Sequence, residues 1–532
     1  MSSIAVVADE RTPFLQSSLS HARSRDSVAV DDHNINPTPS SNEQDKANPT
    51  TTDPNQRLFS LDVFRGLTVA LMILVDDAGG AFPSINHSPW FGVTLADFVV
   101  PFFLFGVGVS ISLGFKNHSK KPNATKKVIL RTAKLFVLGV LLQGGYFHGR
   151  GLLSYGVDID HIRWLGVLQR IAIGYFLAAI SEIWLVSDTV VDTAIAFMKK
   201  YYIQWMVALS LCFLYMGLLY GLYVPDWEFE VSSINSTSVP NYGSSNQIVH
   251  CGVRGNLGPP CNAAGLIDRF FLGGKHLYEH PVYRRTKDCS INSPDYGPLP
   301  PNSPGWCLAP FDPEGILSSL MAAVTCFIGL HFGHIILDFK RHGQRVFLWS
   351  ISSLLLLLSG YVMEVLGIPF NKPLYTLSYM CITTGASGIL LIIVYYAVDA
   401  QNYRKPTILL EWMGMNALIV FTLAACELFP AAIQGFYWRS PENNLVNGTE
   451  NLLQTILQSK NWDTQECSNQ APLTENPSNT QPTAHCHLGR TVAQRAILGR
   501  NRRRIGSRTW NNEAKSLPSR LSKVSLSDDS AN

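Results

Sequence analysis

The sequence predicts an all-α, polytopic membrane protein, a bundle of transmembrane helices carrying one long lumenal loop. Three observations predict it. Only 15% of the 532 residues are charged and 46% are hydrophobic, against about 25% charged in an average soluble domain. The apolar residues gather in runs approaching the ~20 needed to span a bilayer. Lys and Arg alternate between rich and poor along successive short connections, which marks membrane topology rather than a phosphate-binding stripe. With a net charge of only +3, nothing argues for a nucleic-acid partner; the first partner is the lipid bilayer.

Residues 1–56 are rich in Ser, Asp, Asn, Thr and Pro without an apolar period, a composition too polar to bury a core, and are expected to be a disordered cytosolic tail. No cleavable signal peptide is expected, because SIAVV is too short for an h-region. Residues 57–450 form the membrane domain. It opens with a helical hairpin, Arg57 to Gly114, built on the apolar runs Leu67–Val75 and Phe98–Leu113. Its connection holds Asp76, Asp77, the pair Gly79 and Gly80, then Asn86, His87, Ser88, Pro89 and Trp90, more polar and special-backbone residues than a turn requires.

Further spans are expected over roughly 130–146, 164–186, 201–224, 312–337, 346–367, 374–398 and 407–430, nine in all with the hairpin. The connections 115–134, 187–201, 338–345 and 400–405 carry seven, two, three and two Lys or Arg; the alternate ones, 78–90, 147–163 and 368–373, carry none, two and one. The positive-inside rule then places the first set and the N-terminus in the cytosol. His87 and the loop 225–311 face the lumen. That loop holds Cys251, Cys261, Cys289 and Cys307 without the paired CxxC spacing of a zinc site, so two disulfides in an oxidising compartment are expected, with three connectivities open. Sequons at Asn235 and Asn447 fall on the same side and predict a glycoprotein. Residues 451–532 turn polar and Arg-rich, as in GRNRRRIGSR. Nine spans would leave this tail outside, against the rule that orders the rest, so either a span is hidden or the C-terminus is altered.

No Walker loop, GxGxxG, HExxH or GxSxG occurs, which removes ATP-driven pumping and the commoner hydrolase chemistries, and no metal site is expected. Ionisable groups within spans default to functional or paired; Asp76, Asp97, Arg170, Glu364 and Glu411 qualify. His87 is the sharper candidate, an imidazole able to act as nucleophile or general base between carboxylates at both flanking span ends. Asp76 or Asp97 is expected to raise its pKa and orient the ring, with burial opposing the shift. Arg170, about 10 Å into its span, needs an anion. Asp312, before Pro313 and Glu314, is expected to be an N-cap. His331 and His334 are too few for a metal and are expected to be surface groups at a cytosolic helix end.

Seven blocks in the same order carry a resemblance: RLFSLDVFRG, the Gly-Gly turn with NHSPWFGVTLADFVVPFFLF, RWLGVLQRIAIGYF, CNAAGLIDRFFLGGKHLYEHPVY, FDPEGIL, NKPLYTLSYM and GMNALIVF. Together, from about Arg57 to Asn447, they resemble the heparan-alpha-glucosaminide N-acetyltransferase family, particularly its shorter plant-type members. The resemblance implies an enzyme moving acetyl from cytosolic acetyl-CoA to the amine of a lumenal amino sugar. It implies that His87 is the active-site histidine, supported by Asp97 and by Asp76, which stands where the mammalian enzyme has an Asn. Gln169 and Arg170 match the LQR block, where a contact with acetyl-CoA is expected. The implied setting is a lysosome- or vacuole-like membrane, or the plasma membrane. The family's last spans, after the block matching QGFYWRSPENN, have no counterpart here. A multi-pass transporter and a catalytically inactive homologue are the alternatives, and homo-oligomerisation stays open.

Overall fold

In a computed structural model of the chain, the described residues are 58–78, 85–115, 121–143, 162–186, 194–231, 245–278 and 281–426. The chain divides at Arg57 and Leu58 into two units, and all of the described residues lie in the second. The expected N- and C-terminal tails, the Gly79–Gly80 turn and the sequons at Asn235 and Asn447 lie outside the described residues.

The described part is all-α apart from two two-stranded ribbons. Its helices are α1 (Phe59–Ala78), α2 (Leu95–Phe115), α3 (Lys121–Gln143), α4 (Val167–Leu185), α5 (Ala194–Gly221), α6 (Ala263–Leu272), α7 (Ile316–Asp338), α8 (His342–Val365), α9 (Leu377–Tyr395), α10 (Ile408–Met415) and α11 (Ala417–Ala425). Six segments are long and apolar enough to cross a membrane: α2, α4, Ile195–Gly221 in α5, α7, α8, and Leu377–Ala400 containing α9. The pair Lys405–Met415 and Ala417–Ala425, bent by 71°, is a seventh candidate. The protein is thus a multi-pass membrane protein. The helices α1 and α3 also coincide with expected spans, but Asp62, Arg65 and Asp76 in α1 and the five Lys and Arg residues of α3 give them more charged side chains than the other six.

Helix α7 is the hub, with 83% of its apolar window buried, whereas α5 and α8 bury 22% and 17% and turn their Met, Leu and Phe side chains outward, as lipid-facing helices do. A close crossing joins α2 to α7 through glycines. A Cβ on Gly108 would lie 2.1 Å from the Cys326 carbonyl oxygen, and one on Gly329 would lie 2.2 Å from that of Phe105. Only hydrogen lets the backbones come this close, the small-residue logic of membrane helix pairs.

The long loop is built independently of the bundle's apolar logic. Strands Trp227–Val231 and Ser245–Val249 pair antiparallel, as do Tyr223–Val224 and Val253–Arg254. Of the three connectivities left open, the structure has Cys251–Cys261 and Cys289–Cys307. Helix α6 then docks on the N-terminus of α7, where Asp268 Oδ1 accepts the Ile316 amide at 2.8 Å.

Candidate functional site

The loop before α2 is shaped by one carboxylate. Thr94-Leu-Ala-Asp97 is a capping-box pattern, and Asp97 Oδ2 accepts the Thr94 amide (3.0 Å), the Thr94 hydroxyl (3.0 Å) and the Ser88 amide (3.2 Å). Gly92, at φ +94°, makes the turn that a side chain would strain, and its amide donates to the Phe370 carbonyl at 2.9 Å. Asn86 Nδ2 donates to Asp295 Oδ1 (3.3 Å), and Trp90 Nε1 donates to the Leu257 carbonyl (2.9 Å) while its ring packs edge-on against Tyr283 and Phe311. The expected lumenal connections therefore meet at one end of the bundle, around His87.

The second oxygen of Asp97 is turned to the imidazole. His87 Nδ1 lies 2.9 Å from Asp97 Oδ1 and 2.8 Å from Lys372 Nζ, and Lys372 also lies 3.4 Å from His87 Nε2 and from Asp97 Oδ1. Asp97 is fully enclosed, Lys372 is 13% exposed, and the ring retains 35%. The two contacts at Nδ1 exclude each other: it either donates to the carboxylate, leaving Nε2 a lone pair, or accepts from the ammonium. The pKa of His87 is lowered, by burial first and then by the Lys372 ammonium, with Asp97 opposing. The carboxylate raises the pKa as expected, but burial, with the Lys372 ammonium against the same nitrogen, outweighs it.

Behind this trio runs a chain of buried charges. Arg163 Nε donates to Asp312 Oδ2 at 2.8 Å, and its Nη2 bonds both Asp312 Oδ1 and Glu314. Glu314 feels Lys372 and Arg170 as well, so it links the group to the His87 end. Arg170 is 1% exposed. Its Nη2 donates to the Pro313 carbonyl (2.5 Å) and the Ser318 hydroxyl (2.6 Å), and its guanidinium lies 5.5 Å from the Tyr375 ring centre. Its Nε has no hydrogen-bond partner among the described residues.

Residues 57–227 match the family described as heparan-alpha-glucosaminide N-acetyltransferase, catalytic. The human heparan-alpha-glucosaminide N-acetyltransferase is 28% identical over 427 residues, 76% of this chain and 58% of its own length, and the mouse protein is 28% identical over 429 residues with the same coverage. The chain is similar to these N-acetyltransferases over about three quarters of its length. It spans 58% of the length of these curated relatives.

The segment matched to the N-acetyltransferase family contains Asp76, His87, Asp97, Gln169 and Arg170, the residues the resemblance places at the site, whereas Glu364 and Glu411 lie beyond it. The structure brings together two of them, His87 and Asp97. Asp76 is exposed, in the last turn of α1. Gln169 and Arg170 are enclosed at the start of α4, with Gln169 packed so closely against Gly139 that a Cβ there would meet its Oε1 at 2.4 Å. Asp312 is not an N-cap: α7 begins at Ile316 after Gly315, and the carboxylate instead receives Arg163 and the Glu314 amide. His334 is no surface group either, being 1% exposed, bonded to Glu182 at 2.9 Å and stacked on Tyr201. Lys372 escaped the sequence reading although one signal was present, since it is the single basic residue of a short connection on the Lys- and Arg-poor side.

Proposed function

We propose that this chain is a membrane acetyltransferase, moving acetyl from cytosolic acetyl-CoA to the amine of a lumenal amino sugar, with His87 as the reacting group. The observation that carries this reading is the His87–Asp97 pair, at hydrogen-bond distance and at the mouth of the bundle, within the segment matched to the family. In the reading, the N-terminus is cytosolic and the His87 end faces the lumen. Nδ1–H donates its hydrogen bond to Asp97 and keeps its proton, so Nε2 is the nitrogen that meets the acetyl carbon or the acceptor amine. When Nε2 attacks the thioester carbonyl, the C–N bond forms as the C–S bond breaks. The sulfur leaves as thiolate and takes a proton from water; the amine then attacks the same carbon, Nε2 is released, and the amine's extra proton returns to solvent. Arg170 and Gln169 belong to the acetyl-CoA path, with Arg170 Nε a buried donor for a carbonyl of the arm.

The test is transfer of label from acetyl-CoA to glucosamine by the full chain in detergent or nanodiscs. His87→Ala should lower the rate at least roughly 10²-fold, the low end of what a positioned acid–base group supplies, while acetyl-CoA still binds. A rate within about tenfold of the parent, under ~1.4 kcal/mol of barrier, refutes His87 as the reacting group. Sugar uptake into proteoliposomes without acetyl-CoA, and no acetyl transfer, would mean a transporter instead.

A further inference from the structure

Lys372 lies outside the segment matched to the family, yet it makes the closest contact to the His87 ring. It is presented by a turn that is rigid and costly. The Asn371 side chain, fully enclosed, caps the Leu374 amide at 2.7 Å, and the Tyr375 amide closes on the Lys372 carbonyl at 3.0 Å. Tyr375 itself is at φ +56° and fully buried; for a bulky side chain this is an outlier that persists only where the surroundings enforce it. The turn is fixed to the His87 loop by the bond from the Gly92 amide to Phe370, and to the end of α8 by Glu364, which accepts the Phe370 amide.

A carboxylate alone beside an imidazole favours the doubly protonated ring, which has no lone pair to offer. Here Asp97 Oδ1 is shared between the ring and the Lys372 ammonium, so the carboxylate has a counter-ion without a second ring proton. Among the described residues, the other charged groups facing His87 are Arg285, which adds to the same effect, and Asp295, reached through Asn86; Glu314 faces Lys372 from behind. We propose that Lys372 is a positioning residue of this site: as the counter-ion of Asp97 it keeps His87 in the one-proton form, with a lone pair on one ring nitrogen.

The proposal rests on the acetyltransferase reading for its purpose but not for its test. Diethyl pyrocarbonate modifies neutral imidazole, and peptide mapping of the full-length protein reads His87 alone, without acetyl transfer. In the parent protein the pH inflection of His87 modification should fall below about 6.5, the value of a free imidazole. In Lys372→Met it should rise by about one pH unit, the low end of the effect of one close charge, and Lys372→Arg should restore it. The acid limb of acetyl transfer should move with it, lowering kcat at acid pH and leaving the KM for acetyl-CoA within about threefold, since the step affected follows binding. An inflection above 6.5 in the parent overturns the proposal whatever the variants do. So does an unmoved or lowered inflection in Lys372→Met. Expected inflections without transfer by the parent would instead retain the counter-ion and refute the enzyme.

Discussion

Replacing Asp97 by Asn tests whether one carboxylate holds the site together. The substitution leaves a similar shape but removes the charge, and neither orientation of the amide serves. With its oxygen toward Thr94 and Ser88, the NH₂ faces Lys372 and His87 Nδ1; reversed, it faces three donors. Lys372 keeps only 13% of its side chain in solvent, so it would be left as a nearly buried cation. Breaking one side of such a pair costs about 3–5 kcal/mol. Because Glu314 also faces the ammonium, the low end, ~3 kcal/mol, is the expected loss. This is a large share of the roughly 5–15 kcal/mol that holds a domain folded. Unfolding by SDS in mixed micelles can be followed by thiol labelling, because Cys326 is fully enclosed and Cys381 is 6% exposed. The double variant Asp97→Asn with Lys372→Met removes both charges and should recover at least about 1.5 kcal/mol relative to additivity. A loss below about 1 kcal/mol for the single variant, or simple additivity for the double, would mean that Asp97 and Lys372 do not act as a pair.

Two further outcomes follow from groups away from His87. Burial pushes the Asp268 carboxyl up to about 7, so between its unfolded value near 4 and about 7 the folded state holds the extra proton and stability falls as pH rises. Asp268→Asn, which keeps an oxygen for the Ile316 amide, should flatten the pH dependence of unfolding over that interval; a parent protein that gains stability from pH 5 to 7 through this group, with the slope lost in the variant, would refute the assignment. At the α2–α7 crossing, Gly329→Ala should cost about 1–3 kcal/mol by forcing the helices apart, read by the same thiol-labelling titration, and a neutral result would show that the two backbones are not in contact.

Much of the fold was legible because bilayer physics leaves few choices. An apolar run of some 20 residues has to be a helix, so the spans fell close to α2, α4, α5, α7, α8 and α9. His87 and Asp97 were legible for a local reason, ten residues apart across a capping-box turn. The pairing of Arg163 with Asp312 was not, because the two are 149 residues apart and Asp312-Pro-Glu is locally indistinguishable from a helix start. His334 looked like a surface group because its partner Glu182 comes from another helix. Lys372 required weighing an exception to the charge bias as a signal rather than as noise.

The partners of the His87 loop are also distant along the chain: Trp90 meets Leu257 across 167 residues, Asn86 meets Asp295 across 209, and His87 meets Lys372 across 285. Contacts of such long range form only after their loop-closure entropy has been met by earlier structure. The hairpin of α1 and α2 is made first during synthesis, but its histidine acquires a defined environment only after the disulfide-bearing loop and the turn before α9 have arrived. The setting of His87 is thus a late event in the life of the chain, and an incomplete polypeptide carries the histidine without the partners that surround it.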